Sequence, residues 1–166
     1  MKLRTSTEYA IRILRHLHRH GRDEKVFGAE EIARATGISY PLVAKVTSQL
    51  RSHALVRSVQ GRNGGHTLGK PAEEIRLYDV FLCMEGSVCT SRCLTKEESC
   101  ADCKAQDCEL YEFFDQLQEK IVRELTSRTI ADLTRKNQEE GKKLDEDSNI
   151  HRLCDPDFAV FAPTSR

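Results

Sequence analysis

Five of the seven cysteines in this 166-residue chain lie in one short stretch, from Cys89 to Cys108. Residues 87–110 read SVCTSRCLTKEESCADCKAQDCEL, with a C-x3-C pair and a C-x2-C pair. In a reducing cytosol, clustered thiols are more often metal ligands or redox groups than structural disulfides. The stretch therefore predicts a metal centre or a redox site.

The residue types alone leave three kinds of site open. Thiolates are soft ligands, and they are the groups that hold iron–sulfur clusters. The two cysteine pairs also suit a tetrahedral structural zinc site. That zinc site would be built from Cys89, Cys93, Cys100 and Cys103. The third possibility is a metal-free sensor that forms disulfides on oxidation, since a reactive thiolate beside a resolving cysteine is the usual arrangement.

The other cysteines and a histidine run are not interpreted as ligands. Cys83 falls among apolar residues and predicts a buried core position, because free cysteine behaves as a small apolar side chain. Cys154 lies far from the cluster, in a charged segment, and we treat it as incidental. His16, His18 and His20 stand near the end of the first helix, where we expect solvent-facing partners of the helix dipole.

Charge is distributed unevenly along the chain although its formal net charge is zero. Residues 1–70 contain 13 lysines and arginines against 5 acidic residues, and residues 71–166 contain 13 against 21. A basic N-terminal half favours a polyanion such as DNA, because each neutralised phosphate releases counterions. No run approaches the roughly 18–20 apolar residues of a membrane span, and no secretory signal is recognisable. We therefore expect a cytoplasmic protein that does not act at a membrane.

Apolar spacing and turn residues predict a helix-turn-helix followed by a hairpin. A first helix ends at Gly21, a short helix stops at Gly37, and a second begins at the Ser39 N-cap with Pro41 in its first turn. Two strand-like runs flank the sequence GRNGG, which favours a tight hairpin. This order predicts a winged helix, in which the helix over about 39–52 enters the major groove and the wing reaches the backbone or minor groove.

The predicted DNA-contacting residues come from these two elements. At the start of the recognition helix they are Ser39, Tyr40, Pro41, Ala44 and Lys45. At the wing they are Gln60, Arg62 and Asn63. Lys45 is the one charge among the helix residues, and Arg62 suits phosphate or a narrow minor groove.

A long amphipathic helix is predicted after the cysteine-rich stretch. Its stripe runs along one side and consists of Leu110, Phe113, Phe114, Leu117, Ile121, Leu125 and Ile130. A small winged helix cannot cover all of it, so we expect a homodimer, which would match two half-sites of a palindromic operator. Packing of part of the stripe on the first helix is the alternative.

The sequence resembles the IscR/NsrR-type family of iron–sulfur winged-helix transcriptional regulators. The resemblance runs from Met1 to about Lys136. In chain order, the segments that carry it are MKLRTSTEYAIRIL, GISYPLVAKVTSQLRSHALVRSVQGRNGGHTLGKPAEEIRLYDV, EGSVCTSRC, DCELYEFFDQLQEKI and SRTIADL. The wing GRNGGHTLGKP followed by an acidic pair and DV is the most specific of these. The resemblance implies a dimeric DNA-binding regulator with a 2Fe-2S or 4Fe-4S cluster.

Cluster ligands follow from the same resemblance. Family members have three cysteines between wing and dimer helix, and the matching positions are Cys93, Cys100 and Cys108. Some relatives supply a fourth ligand from a histidine after the last cysteine, but Tyr111 stands there. Others use an acidic residue near the N-terminus of the partner subunit, a position that Glu8 matches. Cys103 and Cys89 are additional thiols, and Cys103 would complete an all-cysteine set.

Together these observations predict a mainly α fold with a small β-hairpin wing, that is, a winged helix-turn-helix domain plus a long C-terminal dimerisation helix. The predicted parts are residues 1–82 for DNA binding, 83–108 for the cluster, 109–136 for dimerisation and 137–166 for a charged, flexible tail. The predicted function is transcriptional regulation, in which operator affinity is switched by a cluster that senses redox state, nitric oxide or cluster supply. A zinc-stabilised regulator and a thiol sensor are the alternatives. No phosphate loop, nucleophile elbow or thioredoxin-like context indicates an enzyme.

Overall fold

The computed structural model describes residues 4–21, 25–61, 64–91, 94 and 108–139, with side chains to residue 134. The predicted fold class is confirmed, since the described elements are helices and one two-stranded antiparallel sheet. In chain order they are α1 (Thr5–His20), α2 (Ala29–Thr36), α3 (Tyr40–Ser52), β1 (Val56–Val59), β2 (Gly65–Leu68), a 3-10 turn (Ala72–Glu74), α4 (Leu77–Glu85), α5 (Glu109–Ser127) and α6 (Ile130–Glu139).

The helix-turn-helix forms where the sequence signals predict it. Helix α2 ends at Gly37, which adopts a left-handed conformation with φ of 69° that a side chain would disfavour. Ser39 occupies the N-cap of α3 and Pro41 lies in its first turn. The Ser39 side chain makes no capping hydrogen bond, however. Ser39 therefore occupies the predicted N-cap position without satisfying a backbone N–H of α3.

The predicted wing is a regular antiparallel hairpin in which Val56 pairs with Leu68 and Val59 with Gly65. A short bridge joins the hairpin to the segment before α2: the Phe27 amide donates to the His66 carbonyl at 3.0 Å, and the His66 amide donates to the Phe27 carbonyl at 2.8 Å. Gly65 permits this approach, because a Cβ there would lie 2.3 Å from the Phe27 carbonyl oxygen. The bridge fixes the base of the wing against the helices.

One hydrophobic core joins the winged-helix elements. Helix α1 contributes Ile13 and Leu14, both fully buried, and the core continues through α2, α3 and α4. Cys83 belongs to this core, as predicted, and its thiol approaches the Gln49 carbonyl of α3 at 3.4 Å. Burial raises the pKa of the Cys83 thiol, which keeps it in the apolar, protonated form.

The prediction of one helix over 109–136 is wrong in extent, because α5 ends at Ser127 and a new helix begins at Ile130. Arg128 is extended, and its carbonyl accepts a hydrogen bond from the Leu77 amide at 2.8 Å. The Ile130 amide donates to the Ile75 carbonyl at 2.9 Å. Ile130 is fully buried, so it belongs to the winged-helix core and not to the predicted stripe.

Two predicted boundaries also fall inside helices. The predicted boundary between the DNA-binding part and the cluster part, after residue 82, falls within α4, which packs against α1 and α3. The predicted start of the tail at 137 lies within α6, and residues 140–166, with Cys154, lie outside the described residues. No helix in the described part of the chain is long and apolar enough to cross a membrane.

Candidate DNA-binding face and metal centre

The start of α3 presents the predicted contact residues on one exposed face. Ser39, Pro41, Ala44 and Lys45 are exposed, and the Tyr40 side chain is 54% accessible. Val43, Val46 and Leu50 point the other way and are buried in the core. The helix is thus held by its apolar side while its polar start remains free for a groove.

Sequence reasoning missed Leu42, which lies on the same face and is 40% accessible. The signal was present, because Leu42 falls outside the spacing of the buried residues Val43, Val46 and Leu50. An apolar side chain at the start of a recognition helix has the chemistry to contact a thymine methyl group.

Basic residues lie on the wing and at the nearby end of α3. Gln60 is exposed at the end of β1, whereas Arg62 and Asn63 lie outside the described residues. Arg57 is exposed on β1. Burial, followed by the charge of Arg51 from α3, lowers the pKa of His66 on β2. Arg51 at the end of α3 therefore lies near the hairpin, where it and Arg57 have the charge to neutralise a phosphate backbone.

The segment that carries Cys89 is anchored to α5 by one side chain. The Gln118 amide accepts a hydrogen bond from the Thr90 backbone N–H at 2.9 Å and donates to the Val88 carbonyl. Cys89 is half-buried, and its thiol donates to the Ser91 carbonyl at 3.0 Å. Gln118 thus fixes the beginning of the cysteine-rich stretch, a role that its sequence position did not indicate.

Cys108 begins the helix at the other end of this stretch. It is half-buried at the N-cap of α5, with extended backbone, and its carbonyl accepts the Glu112 amide at 3.1 Å. The thiolate is the form of cysteine that binds metal. Cys93, Cys100 and Cys103 lie outside the described residues. Across the described ranges, no group of three His, Cys, Asp or Glu residues forms a metal site.

Glu8 lies in the first turn of α1 and is exposed. Its neighbour Thr7 is buried and donates a short hydrogen bond to Glu85 at the end of α4. Arg4 donates to the same carboxylate through its backbone N–H at 3.0 Å and forms an ion pair with it at 3.4 Å. The Thr7 hydroxyl and the Arg4 groups hold the pKa of Glu85 below its ordinary value, against the opposing effect of burial. These contacts join the first turn of α1, which bears Glu8, to the end of α4, two residues before Ser87.

His16 differs from the prediction of a solvent-facing charge. Its ring packs edge-on against Phe27 with ring centroids 5.1 Å apart, and it is half-buried. Burial first, and then neighbouring His20 and Lys25, lower its pKa, partly countered by Glu31. A neutral imidazole gives little to the helix dipole, so the prediction is corrected for His16 and kept for the exposed His20.

Fold and exposed faces together define a winged-helix protein of the DNA-binding class. The family model described as Rrf2, iron-dependent transcriptional regulator, matches residues 3–136, and the chain belongs to that family. Among curated proteins, the HTH-type transcriptional regulator IscR of Yersinia enterocolitica is 32% identical over 153 residues, covering 92% of this chain and 90% of that one. Protein aau3 of Rhizobium meliloti is 39% identical over 107 residues, covering 64% and 67%.

Solved structures agree on the fold. CymR, the global cysteine regulator of B. subtilis, is 26% identical with a TM-score of 0.64, covering 82% of this chain and 98% of that one. IscR of T. potens is 22% identical with a TM-score of 0.65, covering 87% and 94%, a likeness that concerns the fold alone. The protein is therefore a DNA-binding transcriptional regulator of the Rrf2 family.

Proposed function

We propose that this regulator binds a palindromic operator as a homodimer and that an iron–sulfur cluster sets its operator affinity. The observation that carries the proposal is Cys108 at the N-terminus of α5, directly after a stretch with four further thiols. That position places one thiol of the stretch on the helical frame. The matched family model is described as iron-dependent, which also supports the proposal.

The cluster would be held by Cys93, Cys100 and Cys108, with Cys103 or the partner subunit's Glu8 as the fourth ligand. The donor set fits, because thiolates are the usual ligands and a carboxylate makes a weaker, more labile fourth bond. When bound, the cluster supplies an iron centre that is sensitive to oxidants and nitric oxide. Gln118 would hold the start of the cysteine-rich stretch on α5, and Cys108 begins the same helix at the other end of the stretch.

DNA recognition is assigned to the exposed start of α3 and to the wing. Lys45 and the hydroxyls of Ser39 and Tyr40 would read base edges, with Pro41 and Ala44 lying alongside. Gln60, Arg62 and Asn63 would contact the backbone or minor groove. A coupling of about 1–3 kcal/mol between cluster state and half-site geometry is enough to change affinity roughly 5- to 150-fold.

The cluster is tested by purifying the protein without oxygen and assaying iron, sulfide and zinc on the sample used for the absorption spectrum. We expect a brown protein with matching iron and sulfide. A colourless protein with zinc would replace the proposal with the structural zinc site, and a metal-free protein would favour the thiol sensor. Comparing Glu8→Ala with Cys103→Ser then identifies the fourth ligand, because only the true ligand's loss speeds cluster decay in air.

The DNA face is tested with Lys45→Ala in a gel-shift titration on DNA selected by the parent protein. We expect affinity to fall, because Lys45 is the single charge at the start of α3. Lys120→Ala on α5 is the matched control and should bind as the parent does. Equal affinity of the Lys45 variant and the parent would mean that the recognition helix is misassigned.

A further inference from the structure

The start of α3 exposes apolar side chains as well as polar ones. Tyr40 is 54% accessible and Leu42 is 40% accessible, and Pro41 and Ala44 are exposed beside them. Among the exposed residues from 39 to 45, Lys45 alone is charged. Exposed apolar surface is unfavourable in water, so this face gains from a partner that offers apolar contact as well as hydrogen bonds.

Leu42 does not belong to the core on the other side of the helix. Val43, Val46 and Leu50 are buried there, and within the described ranges Leu42 is neither in the core nor among the apolar side chains packed against it. Successive residues of an α-helix are rotated by about 100°, which turns Leu42 away from Val43. Residues three apart are neighbours on a helix surface, so Leu42 and Lys45 lie on the same side of α3.

The major groove offers such a side chain one apolar group. Each base edge there displays hydrogen-bond donors or acceptors, and only thymine adds a methyl group, at C5. A leucine placed against a polar edge would remove water from it without supplying a hydrogen bond, which is unfavourable. Against a thymine methyl group the same side chain buries apolar surface on both partners. Leu42 therefore has one favourable partner among the base edges of the groove.

We propose that Leu42 contacts the 5-methyl group of a thymine in each half-site and so selects thymine at that position of the operator. The inference rests on the assignment of DNA recognition to α3 and deepens it, because Ser39, Tyr40 and Lys45 are assigned to reading bases through polar groups. Loss of this contact in one half-site should lower affinity about fourfold, the effect of exposing one methyl-sized group.

The test replaces each thymine of a duplex selected by the parent protein, one at a time, by deoxyuridine. This base keeps every hydrogen-bonding group of thymine and lacks only the methyl group. Gel-shift titration of the full chain, purified without oxygen, should find one thymine in each half-site at which the parent loses affinity about fourfold. Leu42→Ala should bind the thymine and uracil duplexes equally at that position.

The Leu42 variant should fold, because the side chain is exposed and alanine favours a helix at least as much as leucine does. Leu82→Ala is the matched control. Leu82 is a leucine of nearly the same exposure, 39%, and it lies on α4, away from the residues assigned to DNA. This variant should discriminate between thymine and uracil as the parent does.

The proposal is overturned if the parent binds every uracil duplex as tightly as the thymine duplex. Discrimination that persists in Leu42→Ala, or that is lost equally in Leu82→Ala, also overturns it. Lys45→Ala separates this failure from failure of the α3 assignment. If Lys45→Ala weakens binding while uracil has no effect, only the leucine contact is wrong. If neither change has an effect, α3 is not the recognition helix and both proposals fail.

Discussion

Two side chains hold the helical frame around the start of the cysteine-rich stretch. Gln118 makes hydrogen bonds with the backbone on either side of Cys89, and Glu85 joins α4 to the start of α1. Both residues act through neighbours, and in the part of the chain that the structure describes neither forms a hydrogen bond with a proposed ligand. Their effects should therefore appear in stability and in thiol reactivity.

Replacing Gln118 with alanine should leave the Val88 carbonyl and the Thr90 amide without their partner. We expect a loss of about 1–2 kcal/mol in the free energy of unfolding, together with faster alkylation of Cys89. Denaturant titration and mass spectrometry of the alkylated protein measure the two effects. Gln116→Ala, an exposed position on the same helix, is the control and should change neither quantity. Unchanged Cys89 reactivity in the Gln118 variant would contradict its anchoring role.

Glu85 predicts a pH-dependent contribution to stability. Its pKa in the folded protein lies below the ordinary value of 4.5, so its stabilising effect is present above that value and is lost as the pH falls. The melting temperature of Glu85→Gln should therefore fall below the parent's at neutral pH, and the difference should shrink in acid. Glu124→Gln, which removes an exposed ion pair with Arg128, should have a small effect throughout. A constant difference for Glu85→Gln across this range would refute the assignment.

At the scale of elements, the break between α5 and α6 depends on a local cap as well as on docking. The Asp132 carboxylate accepts hydrogen bonds from the Thr129 amide at 3.0 Å and the Thr129 hydroxyl at 2.8 Å. This is a capping arrangement, and it starts α6 so that Ile130 enters the core.

Asp132→Ala should remove this cap and destabilise the protein by about 0.5–2 kcal/mol. Thermal or denaturant unfolding measures the change. Asp115→Ala is the comparison, because Asp115 is exposed within α5, far from either helix end. If both variants lose the same amount, the cap contributes nothing specific.

At the scale of the whole molecule, α5 is a long helix with little cover from the described part of the chain. It packs mainly against α4, and none of its residues is buried. Leu110 and Phe113 are 57% and 59% accessible. They are the two most exposed residues of the predicted apolar stripe, whose other members on α5, Phe114, Leu117, Ile121 and Leu125, are half-buried. A second copy of the chain is the partner that we propose for this stripe.

Phe113→Glu should therefore shift the protein from dimer to monomer and weaken binding to a palindromic duplex. Sedimentation at several protein concentrations measures the first effect and gel shift the second. Gln116→Glu adds the same charge at an exposed polar position of α5 and should leave the dimer intact. A Phe113 variant that sediments as the parent does would place the dimer contact elsewhere.

The sequence by itself determined the winged-helix order, because its signals are local. Gly37 ends α2 by its left-handed conformation, and Pro41 marks the first turn of α3. Apolar residues at helical spacing separate the buried side from the exposed side of both helices. The buried state of Cys83 followed from its apolar neighbours in the same way. The family resemblance added the proposed ligands, of which the structure describes Cys108 and Glu8.

Tertiary structure decided the features that depend on residues distant in sequence. The apolar pattern through Ile130 is compatible with one long helix. The chain breaks there because residues 128 and 130 dock on Leu77 and Ile75, in addition to the local Thr129–Asp132 cap. Gln118 is an ordinary surface residue in the sequence until Val88 and Thr90 are brought to it. The arginines of α1 likewise form a cleft only because α2 packs opposite them, since charge spacing along one helix does not specify what faces it.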